Sequence, residues 1–287
     1  MKKIALLFCL CLHCHILFSQ SENLQYRNRD SAIHFLPAVT LENPLGSGKF
    51  GVVVFGGVIQ NKTRLANRPD ANAGIYIGLG EPVKFIGAGV TINIYGLSNK
   101  IGEQRNLGSG ALNLHLNKFI LNERLEINAG VDNALLWGNY IDKQYLSYQR
   151  SFYVTSNYVF YFSPDHAGNA FSLLNITAGL GNGYYRRDES YTNPGSGAFE
   201  PFISLATPVV KRTNLITEWN GYDVGAGVSS IPFQKAPFMF QVEFTDFVFG
   251  KPRIVSSISL PFTFRKQSAG AGLRPVRITA IRPARTI

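Results

Sequence analysis

The most constraining feature of this chain is a period of two. Runs of about ten residues alternate apolar and polar side chains, and clusters of Gly, Pro, Asn and Asp separate them. Side chains two apart share a face of a β-strand, so each run reads as a strand with one apolar and one polar side. The run 125–137 places Leu125, Ile127, Ala129, Val131, Leu135 and Trp137 on one face. Glu126, Asn128, Gly130, Asp132 and Ala134 take the other; Asn133 and Leu136 break the phase. Phe238, Phe240, Val242 and Phe244 alternate with Gln241, Glu243 and Thr245, and Leu112, Leu114 and Leu116 with Asn113, His115 and Asn117.

Twelve such runs are predicted. They cover Phe50–Gln60, Ala71–Leu79, Gly87–Gly96, Ala111–Phe119, Leu125–Trp137, Phe152–Phe162, Ser172–Leu180, Phe199–Thr207, Asn214–Trp219, Tyr222–Ser230, Phe238–Asp246 and Arg253–Phe264. Strands of about ten residues suit a tilted crossing of a bilayer. A soluble sandwich usually carries many Lys and Arg on its outer face. Here only 16% of residues are charged and 13% are aromatic. Apolar faces turned to lipid and polar faces turned to a lumen account for both values. The fold class expected is therefore all-β, a transmembrane antiparallel up-and-down barrel of about 12 strands. Alternation of long and short connections agrees in outline. The tight connections Asn220–Gly221 and Phe247–Pro252 fall where long ones are expected.

The N-terminus has a different character. Lys2 and Lys3 precede an apolar stretch from Ile4 to Phe18, and Ser19 and Gln20 follow. This is the layout of a cleaved export signal, assigned to residues 1–19. Cys9, Cys11 and Cys14 all lie inside it, so the remainder of the sequence lacks cysteine and any disulfide framework. Residues 20–49 are expected to form a periplasmic or lumen segment, 50–264 the barrel, and 265–287 a basic tail. An export signal followed by a barrel implies the outer membrane.

Charge is unevenly placed. Of the net +10, two positive charges lie in the leader and six in the last 23 residues, leaving +2 for residues 20–264. A nearly neutral body gives no reason to expect a nucleic-acid partner. The partners expected are outer-membrane lipids, the barrel assembly machinery and, at the basic tail, an anionic envelope polymer.

At this point the chain resembles bacterial outer-membrane β-barrel proteins. The last strand, Ile258-Ser-Leu-Pro-Phe-Thr-Phe264, is similar to the aromatic-ending assembly signal of that class, although 23 residues follow it. Three local features resemble those of poorly characterised barrels. They are the Gly-rich pair Gly78-Leu-Gly-Glu-Pro-Val-Lys-Phe-Ile-Gly87, the strand end Asn133 to Gly138, and the hairpin Thr217-Glu-Trp-Asn-Gly-Tyr-Asp-Val-Gly-Ala-Gly-Val228. The hairpin is also similar to parts of exopolysaccharide-associated YjbH-like barrels. These motifs imply a fold and carry no chemistry.

Catalytic and metal chemistry find little purchase. His34, His115 and His166 are the histidines beyond the leader, and none stands beside a serine in a nucleophile–base arrangement. No cofactor or metal is expected. The run Gly46-Ser47-Gly48-Lys49 lacks the Ser or Thr that a phosphate-binding loop requires, because Phe50 follows the lysine. The candidate functional residues are those expected to line the lumen: Glu126, Asp132, Glu218, Asp223, Glu243, His115 and Arg253. Charged residues lining a lumen set ion selectivity. The function expected is a passive pore or transport channel for small solutes. The alternative is a non-conducting structural or assembly barrel linked to exopolysaccharide export, in which acids and bases pair and plug the lumen. A lipid-modifying enzyme is the least favoured reading.

Overall fold

A computed structural model describes residues 25–29, 32–46, 48–63, 67, 69–97, 109–138, 150–162, 169–185, 198–233, 236–248 and 250–264. The leader and the basic tail lie outside the described residues. Two short strands, β1 (Gln25–Arg29) and β2 (Ala32–Leu36), pair only with each other. Apart from a single 3-10 turn at Gly183–Tyr185, the rest of the described secondary structure is a closed sheet of twelve antiparallel strands. It comprises β3 (Val52–Gln60), β4 (Asp70–Gly80), β5 (Gly87–Ile94), β6 (Gly110–Ile120), β7 (Leu125–Trp137) and β8 (Ser151–Tyr161). It continues with β9 (Leu173–Gly181), β10 (Glu200–Val210), β11 (Thr213–Trp219), β12 (Val224–Ser230), β13 (Met239–Thr245) and β14 (Arg253–Thr263). Every strand pairs with its sequence neighbours, and β14 returns to pair with β3 from Val255↔Gln60 to Thr263↔Val52. That seam leaves no open edge.

All twelve runs read from the alternation become strands, with ends displaced by a few residues. Burial alternates as the pattern requires. Along β13, Met239, Gln241, Glu243 and Thr245 are buried, whereas Phe240, Val242 and Phe244 are exposed. The exposed set on the other strands has the same chemistry, with Leu116 and Ile127, Val154 and Leu180, Leu205 and Ile254 all facing outward. Phe55 and Phe262 meet edge to face across the seam, centroids 5.6 Å apart.

The phase exception at Asn133 has a structural cause. Leu112 pairs with Leu135, but Leu114 pairs with Val131, so β7 bulges opposite Asn113. Asn133 takes a left-handed conformation (φ 55°) there and turns inward, with 5% of its surface exposed. Its N–H donates to Asn113 Oδ1 at 2.8 Å, and its Oδ1 accepts from Tyr95 O–H at 2.9 Å. The bulge corrects the sequence reading, which put Asn133 on the apolar face. It also lets Leu135, Leu136 and Trp137 all face outward. Thr263 is exposed at the end of β14.

The two tight connections that break the loop pattern are braced by two side chains, Asn220 and Asp223. Asn220 Oδ1 accepts the N–H groups of Tyr222 and Asp223 at 3.0 and 2.9 Å. Asp223 in turn accepts from Val224 N–H, from Val248 N–H at 3.1 Å and from Gly250 N–H. Residues 220–223 and 246–252 are thereby tied together, which a long loop could not be without ordering many more residues.

The outer face is testable. Val242 lies mid-strand and is 54% exposed. With hydrocarbon against it, Val242→Arg costs about 2–4 kcal/mol. The expected result is a lower urea midpoint for the lipid-reconstituted variant. In a water-facing sheet the change is nearly neutral, and an unshifted midpoint excludes lipid contact.

Candidate functional site: a lumen segment anchored on Glu218

The interior is not an empty tube. Residues 37–49 run inside the barrel, and Ala38, Val39, Thr40, Leu41, Asn43 and Leu45 are almost wholly buried. Val39, Leu41 and Leu45 pack against Ala206 of β10 and Ile216 of β11. Ala38 joins a second cluster with Val52, Val54, Tyr76, Ile231 and Met239, and Phe35 covers it. The sequence reading expected a polar lumen. The wall is instead apolar where this segment rests, because a chain lying in the lumen buries side chains of its own.

A buried segment must satisfy its peptide groups. Glu218 on β11 does most of this. Its Oε2 accepts Leu41 N–H at 2.7 Å, and its Oε1 accepts Glu42 N–H at 2.6 Å and Asn43 N–H at 2.9 Å. Ser204 O–H also donates to Oε2 at 2.8 Å. Flanking contacts extend the anchorage. Ala38 N–H donates to Ser229 Oγ, Asn214 Nδ2 to Ala38 O, and Asn43 Nδ2 to Ser204 Oγ and Trp219 O.

Arg253 on β14 makes the second tether. It donates to Asp246 through Nε, to Gln60 Oε1 through Nη1 at 2.7 Å and to Glu42 Oε1 through Nη2 at 2.6 Å. One guanidinium thus joins the loop after β13, strand β3 and the lumen segment. Its planar fork suits three acceptors in different directions, as an ammonium would not. Glu42 also accepts from Tyr184 O–H at 3.3 Å and from Asn220 Nδ2.

Glycine makes room where the segment leaves the lumen. The backbone of Gly48 and Lys49 lies against β4 and β5. A Cβ on Gly87 would stand 2.0 Å from Gly48 O, and one on Gly78 would stand 2.4 Å from Lys49 O. The Gly-rich motif 78–87 is therefore a slot for the incoming chain. Lys49 is fully buried there and lies 3.3 Å from Glu81 Oε1 of the acidic–Pro turn.

Of the residues expected at the lumen, His115, Glu126, Glu218, Asp223, Glu243 and Arg253 are buried and Asp132 is half-buried, in distinct settings. Glu218 and Arg253 hold the segment. Asp223 organises the two short loops. Glu126 accepts from Asn117 Nδ2 at 2.9 Å. His115 stacks on Tyr76 with rings parallel within 2°, its Nε2 3.3 Å from the tyrosine oxygen. Gly46 and Gly89 press on the same ring so closely that a Cβ on either would overlap it. His115 is a packing residue. Asp132, which accepts from Tyr185 O–H at 2.8 Å, and Glu243 line a cavity of about 150 Å³ together with Arg253. Glu42, Asn43 and Pro44 also line this cavity, so the segment forms part of its wall. The contribution of residues 42–44 was invisible to sequence reasoning. Asn43 and Glu42 stand outside any alternating run, and only the chain path carries them in.

A closed twelve-stranded barrel with an apolar exterior, a polar and charged interior and an inserted N-terminal segment defines a barrel of the transmembrane type. No protein family matches this chain, and no curated protein matches it. Several solved chains are similar to it in shape, and two of them serve as examples. One is "KdgM porin in complex with disordered oligogalacturonate", with 9% identity, 75% of this chain and 99% of that chain covered, and a TM-score of 0.41. The other is "KdgM porin", with 10% identity, the same coverage and a TM-score of 0.42. Likeness of that degree assigns no family and no function.

The anchorage has a measurable consequence. Glu218→Ala leaves three buried N–H groups without acceptors, at about 1–3 kcal/mol each when desolvated. The segment then opens more often. Amide exchange at residues 41–43 is expected to rise by roughly 100-fold while the strands stay protected. Glu218→Gln, which keeps an acceptor oxygen, falls between the two. Equal exchange in all three proteins rules out the anchor.

Proposed function

We propose that this chain is an outer-membrane barrel acting as a narrow pore for small solutes, with its bore set by residues 37–49. The observation that carries the proposal is the division of surfaces on a closed sheet. Apolar side chains face out, and carboxylates, amides and Arg253 face in. A closed sheet satisfies its backbone without water, as a bilayer demands. Glu218 and Arg253 are engaged in holding the segment, whereas Asp132 and Glu243 line the cavity, where charges act on water or solute that reaches them. Outer-membrane lipids and the barrel assembly machinery are the partners this reading requires. The basic tail adds an anionic envelope polymer or lipid phosphate.

The plugged, non-conducting reading has its own support. Val39, Leu41 and Leu45 pack tightly against the wall, and the Arg253–Glu42–Glu218 contacts hold the segment at several points. A structural barrel tied to exopolysaccharide export would need no more than this. Apart from the hairpin 217–228, nothing favours the YjbH-like link.

Planar-bilayer recordings separate the two. The pore reading expects small current steps from the purified protein. It expects larger steps from the double variant Glu218→Gln, Arg253→Gln, in which both tethers are weakened. Absence of steps in both proteins removes the pore. Within the pore, Asp132→Asn and Glu243→Gln are expected to lower cation preference, read as a shift in reversal potential under a salt gradient. An unchanged potential means that these acids do not face the path.

A further inference from the structure

The cavity of about 150 Å³ has a chemistry of its own. Its wall comes from strand ends remote from the chain termini and from the lumen segment. Amides dominate it: Gln60, Asn72, Asn93, Asn113, Asn133 and, from the segment, Asn43. The six amides share the wall with Pro44, Val58, Val255 and three tyrosines, and they supply both donors and acceptors.

Several acceptors there are without partners inside the protein. Asn43 is fully buried and donates through Nδ2, yet its Oδ1 has no hydrogen-bond partner. Asn93 is 5% exposed, and its Oδ1 likewise has none; Asn72 Oδ1 is the third. These oxygens have almost no accessible surface, so a donor in the cavity reaches them only when the amides turn toward it. Tyr95, Tyr184 and Tyr185 complete the wall with ring carbon as well as hydroxyl.

The charges narrow the choice. Glu42, Asp132 and Glu243 line the cavity, and Arg253 is the one base among the lining residues, already joined to Glu42 and Asp246. Anions are disfavoured by three acids against one engaged guanidinium. An ammonium offers donors but no acceptors and a metal ion offers neither, so both address only the oxygens of an amide-rich wall. Hydroxyl groups both donate and accept, which matches amides. A void of about 150 Å³ takes a molecule the size of one six-membered ring.

We propose that this cavity is a binding site for a neutral sugar ring, with Asn43, Asn72 and Asn93 accepting from its hydroxyls and the tyrosines bounding its C–H faces. The site rests on the pore reading for its access route and names the class of solute that reaches it. Because Asn43 belongs to the lumen segment, sugar binding and segment position are coupled.

The test is calorimetric titration of the detergent-purified full chain with methyl glycosides of glucose, galactose, mannose and xylose. Glucuronate and tetramethylammonium serve as anionic and cationic counterparts. At least one neutral glycoside is expected to bind at least tenfold more tightly than either charged probe. The double variant Asn72→Leu, Asn93→Leu is expected to lose binding at least tenfold while keeping the heat-modifiable gel migration of a closed barrel. Preference for tetramethylammonium, or no binding of any neutral glycoside at 100 mM, overturns the proposal. Conductance measured on the same preparation keeps the two readings apart. Current without sugar binding removes only the sugar site, and sugar binding without current removes the pore and leaves a closed binding cup.

Discussion

Everything in this molecule depends on the closing seam between β14 and β3. A sheet surrounded by hydrocarbon has no water to bond an exposed edge, so the last strand must find the first. The seam runs nine residue pairs, from Val255↔Gln60 to Thr263↔Val52. It holds despite Pro261, which lacks an N–H and sits opposite Val54. Arg253 stands at one end of this seam and binds Gln60 across it. The residue that tethers the lumen segment thus also clasps the closure, so barrel integrity and segment position share one guanidinium.

Closure creates an interior, and the segment 37–49 defines its character. A twelve-stranded barrel lies between small barrels filled by side chains and wide porins. Here the filling is backbone. That choice imposes a polar requirement, because peptide groups cannot be buried unpaired. Glu218, Ser229, Asn214 and Gln241 on neighbouring strands meet it. Much of the lumen's polar inventory is therefore engaged in holding the segment. The side-chain oxygens of Asn43, Asn72 and Asn93 at the amide-lined cavity are among the buried polar atoms left unmatched.

Strand existence was legible because the signal is local. Alternation along β13 or β7 needs only neighbouring residues, and the lipid and lumen faces follow from it. The inward direction of Glu126, Glu218, Glu243 and His115 follows by the same parity. Their partners were not legible. Glu218 meets Leu41 from 177 positions away, and Arg253 meets Glu42 from 211. No periodicity reports such pairs. Asn133 shows the limit from the other side. Its break in phase was visible, but its meaning as a bulge required the register with β6.

The sequence alone determined a closed, lipid-facing sheet of about twelve strands, since a two-residue period and a low charge content leave few other ways to bury one face of every strand. Tertiary structure alone decided what fills the barrel. The path of residues 37–49 has no repeating pattern. It is selected by scattered acceptors and donors on β10 to β14 and by glycines on β4 and β5 that leave room for a backbone. Those sites come together only once the sheet has closed, because they lie on strands that are far apart in sequence and face one another across the lumen.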